Sequence, residues 1–494
     1  MTMGENGDVR TFDRADRARY REKLRRCLHA FAELLPDSRF DVDRPVTGVE
    51  IELNLVDDMS QPAMRNTAVL AAVADPDFQT ELGQFNLEIN VAPLRLAGTG
   101  ALEFEKTLRE RLNAADTRAR TVGARLVMIG ILPTLRPEHL TSAALSANPR
   151  FALLNEQIFA ARGEDLRIVI NGAERLTTTA DTITPEAACT SAQFHLQVSP
   201  AQFGDYWNAA QAIAGVQVAL GANAPLFFGR ELWRETRIPL FEQATDTRAE
   251  EIKAQGVRPR VWFGERWITT ALDLFDENVR YFPALLPVCD PEDPVEAIAA
   301  GAVPQLAELR LHNGTIYRWN RPSYDVLAGR PRLRLENRVL PAGPTVVDTI
   351  ANGAFFFGLV RGLAESDRPL WSQMSFNAAE ENFTTCARHG IDAQVFWPGL
   401  GQLPVTELVL RRLLPLAHHG LDRWGMDPTE RDRLLGIIEQ RCLTGRNGAS
   451  WQLATLNRLE SADRLGRPEA LRETLRHYVD LMHSNRPAHE WPIP

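Results

Sequence analysis

The chain has few cysteines, and their positions form no recognisable pattern. Its 494 residues contain five, at Cys27, Cys189, Cys289, Cys386 and Cys442. Their scattered spacing gives no zinc motif and no disulfide framework of the kind found in small secreted domains. The pattern indicates reduced thiols, and we expect a cytoplasmic protein.

The sequence also has no segment typical of secretion or membrane insertion. Met1 to Asp16 is polar and charged, without the apolar centre of a signal peptide. No run approaches the roughly 18 apolar residues of a transmembrane helix. With a formal net charge of −9 at pH 7, the chain is not expected to bind nucleic acid or anionic membranes in general. Small molecules are the expected partners.

Familiar nucleotide and nucleophile motifs are missing as well. The chain lacks a Gly-x-x-x-x-Gly-Lys-Ser/Thr loop, the protein-kinase motifs, a dinucleotide-binding Gly-x-Gly-x-x-Gly after a strand, and a Gly-x-Ser-x-Gly elbow. A Walker-type site, NAD chemistry and a serine nucleophile of that kind are therefore not expected.

The composition that is present, 44% hydrophobic and 24% charged, is that of a globular protein with a large core. We expect an N-terminal helix within 1–43, a catalytic core over 44–365, and a C-terminal helical region over 366–494. Amphipathic spacing predicts the first helix over Arg14 to Leu35, and further helices over 346–366 and 403–485.

The stretch Gly48 to Asp57 is the most informative part of the sequence. Apolar residues alternate with Glu50, Glu52 and Asn54, which predicts a strand with one buried face. Two neighbouring carboxylates on that face repel each other unless a divalent cation lies between them. A face that is simply open to water remains the alternative for any single strand.

The same polar-face pattern returns further along the chain. It recurs around Glu88, with Glu81 on the entry loop, around His195 and Gln197, in the short run Glu308 to His312, and finally in Arg332, Arg334, Glu336 and Arg338. Together these strands predict a sheet with a polar concave face, acids at one end and arginines at the other. A nucleoside triphosphate requires Mg²⁺ on carboxylates and guanidiniums on phosphoryl oxygens, so this face suits phosphoryl transfer. The loop with Arg234, Arg237 and Arg248 could bind an anion or be solvated.

These motifs resemble those of the glutamate–cysteine ligases and related carboxylate–amine ligases. Gly48-Val49-Glu50-Ile51-Glu52 looks like the family's first acidic strand, and Glu81 to Glu88 is similar to the second acidic element. Phe194 to Val198 resembles the histidine strand, and Leu335 to Arg338 the Glu-x-Arg strand. The matches follow the family's order over roughly residues 44 to 345. The resemblance implies an α+β fold: a curved, mainly antiparallel sheet with helices on its outer face, forming a glutamine synthetase-like catalytic cup.

The resemblance also implies roles for individual residues. Mg²⁺ ions would be held by Glu50, Glu52, Glu81, Glu88, His195 and Glu336. Arg338 would contact the transferred phosphate, Arg332 or Arg334 would assist, and Arg230 and Arg237 would bind ATP or a substrate carboxylate. The implied reaction uses ATP to phosphorylate the γ-carboxylate of glutamate, after which an amine attacks the acyl phosphate.

One departure from the family concerns the amine. Many relatives have an acid three residues after the arginine of Glu-x-Arg, but Arg338 is followed by Val339-Leu340-Pro341. Glutamate–cysteine ligation is the leading hypothesis, and a ligase of the same chemistry acting on another acid or amine is the alternative. A non-catalytic nucleotide or amino-acid sensor is a third hypothesis, in which some of the acids would be expected to be lost.

Overall fold

The structure is a computed structural model of the chain, and it describes residues 12–36, 39–40 and 45–494. Most of the polar segment Met1 to Asp16, and most of the stretch 37–44 after the first helix, lies outside the described residues. The predicted 1–43 unit is therefore described only in part.

Strands in the described residues belong to one large sheet and four small two-stranded sheets. Their bounds are β1 Thr47–Val56, β2 Phe78–Thr80, β3 Asn86–Leu94, β4 Arg125–Val127, β5 Leu166–Asn171, β6 Arg175–Ala180, β7 Ser191–Gln197, β8 Leu226–Phe227, β9 Arg230–Glu231, β10 Val261–Trp262, β11 Tyr317–Arg318, β12 Asn320–Leu327, β13 Arg330–Pro341, β14 Gln394–Trp397 and β15 Gly401–Pro404.

Helices surround these strands. Their bounds are α1 Arg14–Leu34, α2 Asn66–Val73, α3 Gly100–Arg120, α4 Pro149–Arg162, α5 Thr184–Ala187, α6 Phe203–Gly221, α7 Arg237–Ala244, α8 Glu250–Ala254, α9 Ala271–Tyr281, α10 Pro294–Ala299, α11 Ala307–Asn313, α12 Val346–Ala364, α13 Phe376–His389, α14 Val405–Leu408, α15 Leu414–Trp424, α16 Pro428–Thr444, α17 Gly448–Ser461 and α18 Arg467–Ser484.

The large sheet is curved and antiparallel throughout. Its order is β12-β13-β7-β1-β3-β2, and β4 pairs with the end of β1. The four strands predicted to carry the polar face are β1, β3, β7 and β13, and they are consecutive neighbours in the order β13-β7-β1-β3. The predicted α+β class with a curved, mainly antiparallel sheet is confirmed.

The apolar face of this sheet packs against helices. Ile51 and Leu335 are completely buried, and Phe194 of β7 lies against Phe357 of α12 with ring centroids 5.9 Å apart. α12 approaches closely because residue 353 is glycine: a Cβ there would lie 2.6 Å from the Phe194 ring. Burying this face leaves the opposite, polar face of the same strands available for a site.

α12 is long and apolar enough by composition to cross a membrane. In the structure 94% of its most apolar window is buried inside the protein. Its neighbours are α6, α15 and α16, so the predicted helix over 346–366 is a central core helix.

The predicted N-terminal helix is present as α1. Asp13 accepts a hydrogen bond from the Asp16 backbone and caps its first turn. The predicted apolar stripe faces the core, with Tyr20, Leu24 and Phe31 almost fully buried.

One strand prediction is wrong. Glu308 to His312 lies on helix α11 and adds no polar strand to the sheet. The short run fits both a strand and a helix period, and tertiary contacts decide between them: buried Glu308 accepts a hydrogen bond from the Asp290 backbone at 2.8 Å.

Candidate active site

The polar face of the large sheet forms the floor of a cavity of about 470 Å³. Five acids, Glu50, Glu52, Glu81, Glu88 and Glu186, and four arginines, Arg150, Arg237, Arg321 and Arg338, contribute to its lining. A cavity lined by so many charges of both signs suits a substrate that is itself highly charged.

Strand register brings the predicted side chains together. Glu336 of β13 lies opposite His195 of β7, and Glu52 of β1 lies opposite Glu88 of β3. Because directly opposed residues of antiparallel strands point to the same face, the alternation seen in the sequence becomes a continuous polar surface.

Glu52, Glu81 and Glu88 form a compact carboxylate cluster. One oxygen from each lies within 4.8 Å of the others. Oxygen ligands at such spacing could hold a divalent cation such as Mg²⁺.

Neighbouring donors hold the cluster in place. The Ser191 backbone N–H donates to Glu52 Oε2 at 2.6 Å, and Gln193 Nε2 donates to Glu52 Oε1 at 2.9 Å. Gln79 and Asn90 donate to Glu88 Oε1 at 2.6 and 2.9 Å. These side chains are fixed by the sheet before any ligand binds.

Burial and mutual repulsion raise the pKa values in this cluster. Burial, followed by the charges of Glu50 and Glu52, raises the pKa of Glu88 to about 8. Burial, then Glu88 and Glu52, raises the pKa of Glu81 well above its ordinary value. A bound cation would stabilise the ionised carboxylates because its positive charge offsets their mutual repulsion.

A second group of predicted residues lies beside the cluster. His195 Nε2 is 3.0 Å from Glu50 Oε1. Burial works to raise the pKa of Glu50, but the charge and hydrogen bond of His195 outweigh it, so this pKa lies below its ordinary value.

Two arginines form ion pairs with Glu336. Arg321 contacts both of its oxygens, at 2.8 and 3.1 Å from Nη2, and Arg338 Nη1 lies 2.7 Å from Oε1. Against the effect of burial, these two guanidiniums keep the pKa of Glu336 far below its ordinary value. Arg338 also donates to Gln193 Oε1 at 2.6 Å.

Arg237 is buried at the cavity wall. Its Nε and Nη2 donate to the backbone oxygens of Thr190 and Leu340 at 3.0 and 3.1 Å. Its Nη1 is buried and has no hydrogen-bond partner in the described residues. A guanidinium with one free donor could bind an anionic group in the cavity.

A protein-family model places the chain in a known group. The model for glutamate–cysteine ligase family 2 matches residues 46–479. The chain belongs to glutamate–cysteine ligase family 2. It is accordingly a carboxylate–amine ligase.

A solved ligase structure shares the fold of this chain. The glutamate–cysteine ligase of Francisella tularensis, solved in complex with AMP, has a TM-score of 0.55 and 11% identity, covering 92% of this chain and 91% of that one. A bifunctional glutathione synthetase from Pasteurella multocida has a TM-score of 0.48 and 13% identity, covering 94% of this chain and 55% of that one. No curated protein sequence matches the chain. The predicted cup-shaped fold is confirmed.

Three arginines predicted for the site of this family 2 ligase lie outside the cavity lining. Arg334 is ion-paired with Asp325 at 2.7 Å, and Arg332, two residues further from Arg338 on the same strand, is also absent from the lining. Arg230 lies on the hairpin β8–β9 and lines a different cavity, together with Arg136 and Arg467. The alternation of β13 was correctly predicted, but it cannot show how far along a strand the cavity extends.

Other residues of the cavity lining were not predicted. Arg321 begins an alternation of polar residues with Ser323 and Asp325 on β12, which was a usable signal, whereas Arg150 and Glu186 lie on helices without such a pattern. The predicted ligands His195 and Glu336 lie next to the cavity through their contacts with Glu50 and Arg338. The alternation of Gln193 with His195 on β7 was a usable signal for Gln193.

Proposed function

We propose that the protein is an ATP-dependent glutamate–cysteine ligase that forms γ-glutamylcysteine through a γ-glutamyl phosphate and releases ADP and phosphate. The observation that carries the proposal is the carboxylate cluster of Glu52, Glu81 and Glu88 in the same cavity as Arg338 and Arg237. Family membership and the AMP complex of the Francisella tularensis neighbour support nucleotide as one ligand.

The residues fit Mg²⁺ at the carboxylate cluster, where one oxygen from each of three carboxylates lies within 4.8 Å of the others. Glu52, Glu81 and Glu88 would hold one ion, and Glu50, His195 and Glu336 would contribute to binding beside it. Crowded, buried carboxylates with raised pKa values fit a cation because its charge removes their repulsion. Bound there, Mg²⁺ supplies charge neutralisation between the triphosphate and the attacking carboxylate.

The chain's own residues would orient the two substrates. Arg338, fixed by Glu336 and Gln193, would contact the phosphoryl group while a γ-carboxylate oxygen attacks the γ-phosphorus and ADP leaves. Arg237 would hold a substrate carboxylate through its free Nη1. The neutral amine nitrogen would then form the new bond to the acyl carbon as phosphate leaves, and the nitrogen would release one proton to solvent.

Release of ADP from purified protein, Mg²⁺, ATP and glutamate, with a panel of amines, tests the function. Turnover that requires cysteine supports the proposal. Turnover with another amine supports a ligase of the same chemistry and a different acceptor. Binding of nucleotide without turnover on any acid and amine would replace the proposal with a sensor.

A further inference from the structure

A second cavity, of about 380 Å³, is lined by the β8–β9 hairpin, the first turns of helix α18 and the loop around Thr134. It shares no lining residue with the cavity on the polar face of the large sheet. One of its charged lining residues is an acid, Glu174, and the other four are arginines: Arg136, Arg230, Arg467 and Arg472. A cavity of this size with such an excess of guanidiniums fits an anionic small molecule.

Ion pairs within the protein neutralise only two of these arginines. Arg136 and Arg467 each lie beside a glutamate, at 3.1 Å and 2.5 Å. Glu174 lies 3.7 Å from Arg467, and its Oε2 accepts a hydrogen bond from the β9 backbone at 2.7 Å. The side chains of Arg230 and Arg472 have no ion pair or hydrogen bond within the part of the chain that the structure describes. Two guanidiniums therefore remain for a ligand.

Helix α18 and the loop around Thr134 add two further groups that suit an anion. Arg467 and Pro468 are the first residues of this 18-residue helix, and no side chain caps its N-terminus. The positive end of the helix dipole therefore lies at the cavity. Thr134 lines the same cavity and is 6% exposed, and its Oγ1 is buried without a hydrogen-bond partner among residues 12–36, 39–40 and 45–494. Buried hydroxyls normally have a partner, so this one is available to a ligand oxygen.

The turn between β8 and β9 adds an aromatic surface. Phe227 and Arg230 pair across the hairpin, and the two residues between them, Phe228 and Gly229, have φ values of +50° and +70°. Such a turn favours Asn and Gly, so a phenylalanine there costs backbone strain. Phe228 lines the cavity and stacks on Phe227 with ring centroids 3.9 Å apart. The turn thus supplies a flat apolar face in the same cavity as the free arginines.

We propose that the second cavity binds a phosphorylated small molecule that carries a flat ring. Arg230, Arg472 and the Thr134 hydroxyl bind the phosphate group, and the ring lies against Phe228. A phosphate monoester has three terminal oxygens and nearly two negative charges, which match three separate donor groups, whereas a carboxylate offers two oxygens and one charge. This inference goes beyond the ligase function and does not depend on it.

Phenyl phosphate is the probe, and inorganic phosphate and phenol represent its two halves. Isothermal titration calorimetry on the full chain should show tighter binding of phenyl phosphate than of either half. Crystals soaked in phenyl phosphate should show it in contact with Arg230, Arg472 and Phe228. Equal affinity for inorganic phosphate would overturn the ring-bearing ligand class, and equal affinity for phenol would overturn the anion site.

Single substitutions test the two free arginines. Arg230→Gln and Arg472→Gln should each weaken binding of phenyl phosphate by about tenfold, through the loss of a charge-assisted hydrogen bond. Arg446→Gln is the matched control, because it changes an exposed arginine outside the lining of both cavities, and it should bind the probe as the parent does. Unchanged affinity in both cavity variants, or crystal density for the probe only in the cavity on the sheet, would overturn the proposal.

Thr134→Val separates ligand binding from a structural role. Because the hydroxyl has no partner in the described residues, valine should leave the Tm equal to or above that of the parent. Affinity for phenyl phosphate should nevertheless fall by about threefold or more, through the loss of one neutral hydrogen bond. A Thr134→Val protein with a lower Tm and unchanged affinity for the probe would overturn the assignment of this hydroxyl to a ligand.

Discussion

At the scale of single residues, the cavity depends on carboxylates held close to one another. Glu88 is the clearest case because its pKa is raised from an ordinary 4.5 to about 8, first by burial and then by Glu50 and Glu52. In the metal-free protein its stabilising contribution is complete below pH 4.5 and is lost as the pH rises through 8, since the folded state then carries the unfavourable charge.

Glu88→Gln should therefore change both pH dependence and metal response. Without Mg²⁺, the parent should melt at a lower Tm near pH 8.5 than near pH 6, because Glu88 becomes charged as the pH rises through about 8. The variant should show a smaller difference, a smaller rise in Tm on adding Mg²⁺, and little ADP release. Thermal melts with and without Mg²⁺ at both pH values check this, and an undiminished Mg²⁺ response would remove Glu88 from the proposed metal ligands.

Arg338 tests the importance of a planar guanidinium. Arg338→Lys keeps the charge but cannot contact Glu336, Gln193 and a phosphoryl group at the same time, so kcat should fall by about 100-fold or more. Nucleotide binding, measured by calorimetry, should change much less. Arg334→Lys is the matched variant because Arg334 lies on the same strand face, paired with Asp325, outside the cavity lining.

The activities of these two variants show how far along β13 the cavity extends. The structure predicts that Arg334→Lys stays active and that Arg338→Lys does not. Equal losses would mean that the cavity extends further along β13, as the sequence pattern alone suggested.

Residue-scale prediction from sequence succeeded where polar residues alternate along a strand. Glu50, Glu52 and Glu88 were found because alternation places them on one face, and strand pairing then brings them together. Glu186 could not be found in this way, because it lies on a single helical turn with no periodic signal. Its place in the cavity depends on how that turn packs, which local pattern does not encode.

At the scale of elements, the turn between β2 and β3 positions Glu81. The backbone N–H of Asn86 donates to the Gly83 oxygen at 2.8 Å. A Cβ on Gly83 would lie 2.5 Å from Asn86 Oδ1 and 3.0 Å from Ala187 Cβ, so this turn has no room for a side chain.

Gly83→Ala should destabilise the fold by about 1–3 kcal/mol and weaken the Mg²⁺ response by displacing Glu81. Gly436→Ala is the control, because a Cβ there meets nothing within 4 Å on helix α16, and it should stabilise by about 0.5–1 kcal/mol. Urea unfolding with and without Mg²⁺ measures both. A Gly83→Ala protein as stable and as metal-responsive as the parent would contradict this account of the turn.

Element prediction was strongest for long periodic segments and weakest for short ones. The helix over Arg14 to Leu35 and the core helix over 346–366 were found to within two residues at each end. The alternation of Glu308 to His312 predicts a strand, but five residues are too few to distinguish a strand from the buried helix that the structure has there.

At the scale of the molecule, the C-terminal helices are joined to the core through a buried ion pair. Arg441 of α16 lies 2.7 Å from Asp348 of α12, with side chains 2% and 0% exposed. Asp348 also accepts hydrogen bonds from the Thr345 hydroxyl at 2.7 Å and the Ala488 backbone at 3.0 Å. This contact crosses the division proposed at residue 366.

Arg441→Ala should lower the free energy of unfolding by about 3–5 kcal/mol, because Asp348 would keep a buried charge without its partner. Arg411→Ala removes the exposed pair with Glu407, whose side chains are 73% and 38% exposed, and should cost less than about 1 kcal/mol. Denaturant unfolding of both variants checks the difference, and similar small losses would show that the buried pair does not hold the two regions together.

In the cavity as a whole, acids from separate strands and a connecting loop converge, and we propose that they bind magnesium for ligation. Anomalous diffraction from crystals grown with Mn²⁺ and a non-hydrolysable ATP analogue tests it directly. We expect a peak at about 2.2 Å from oxygens of Glu52, Glu81 and Glu88. Ordered carboxylates with no anomalous peak among them would contradict it.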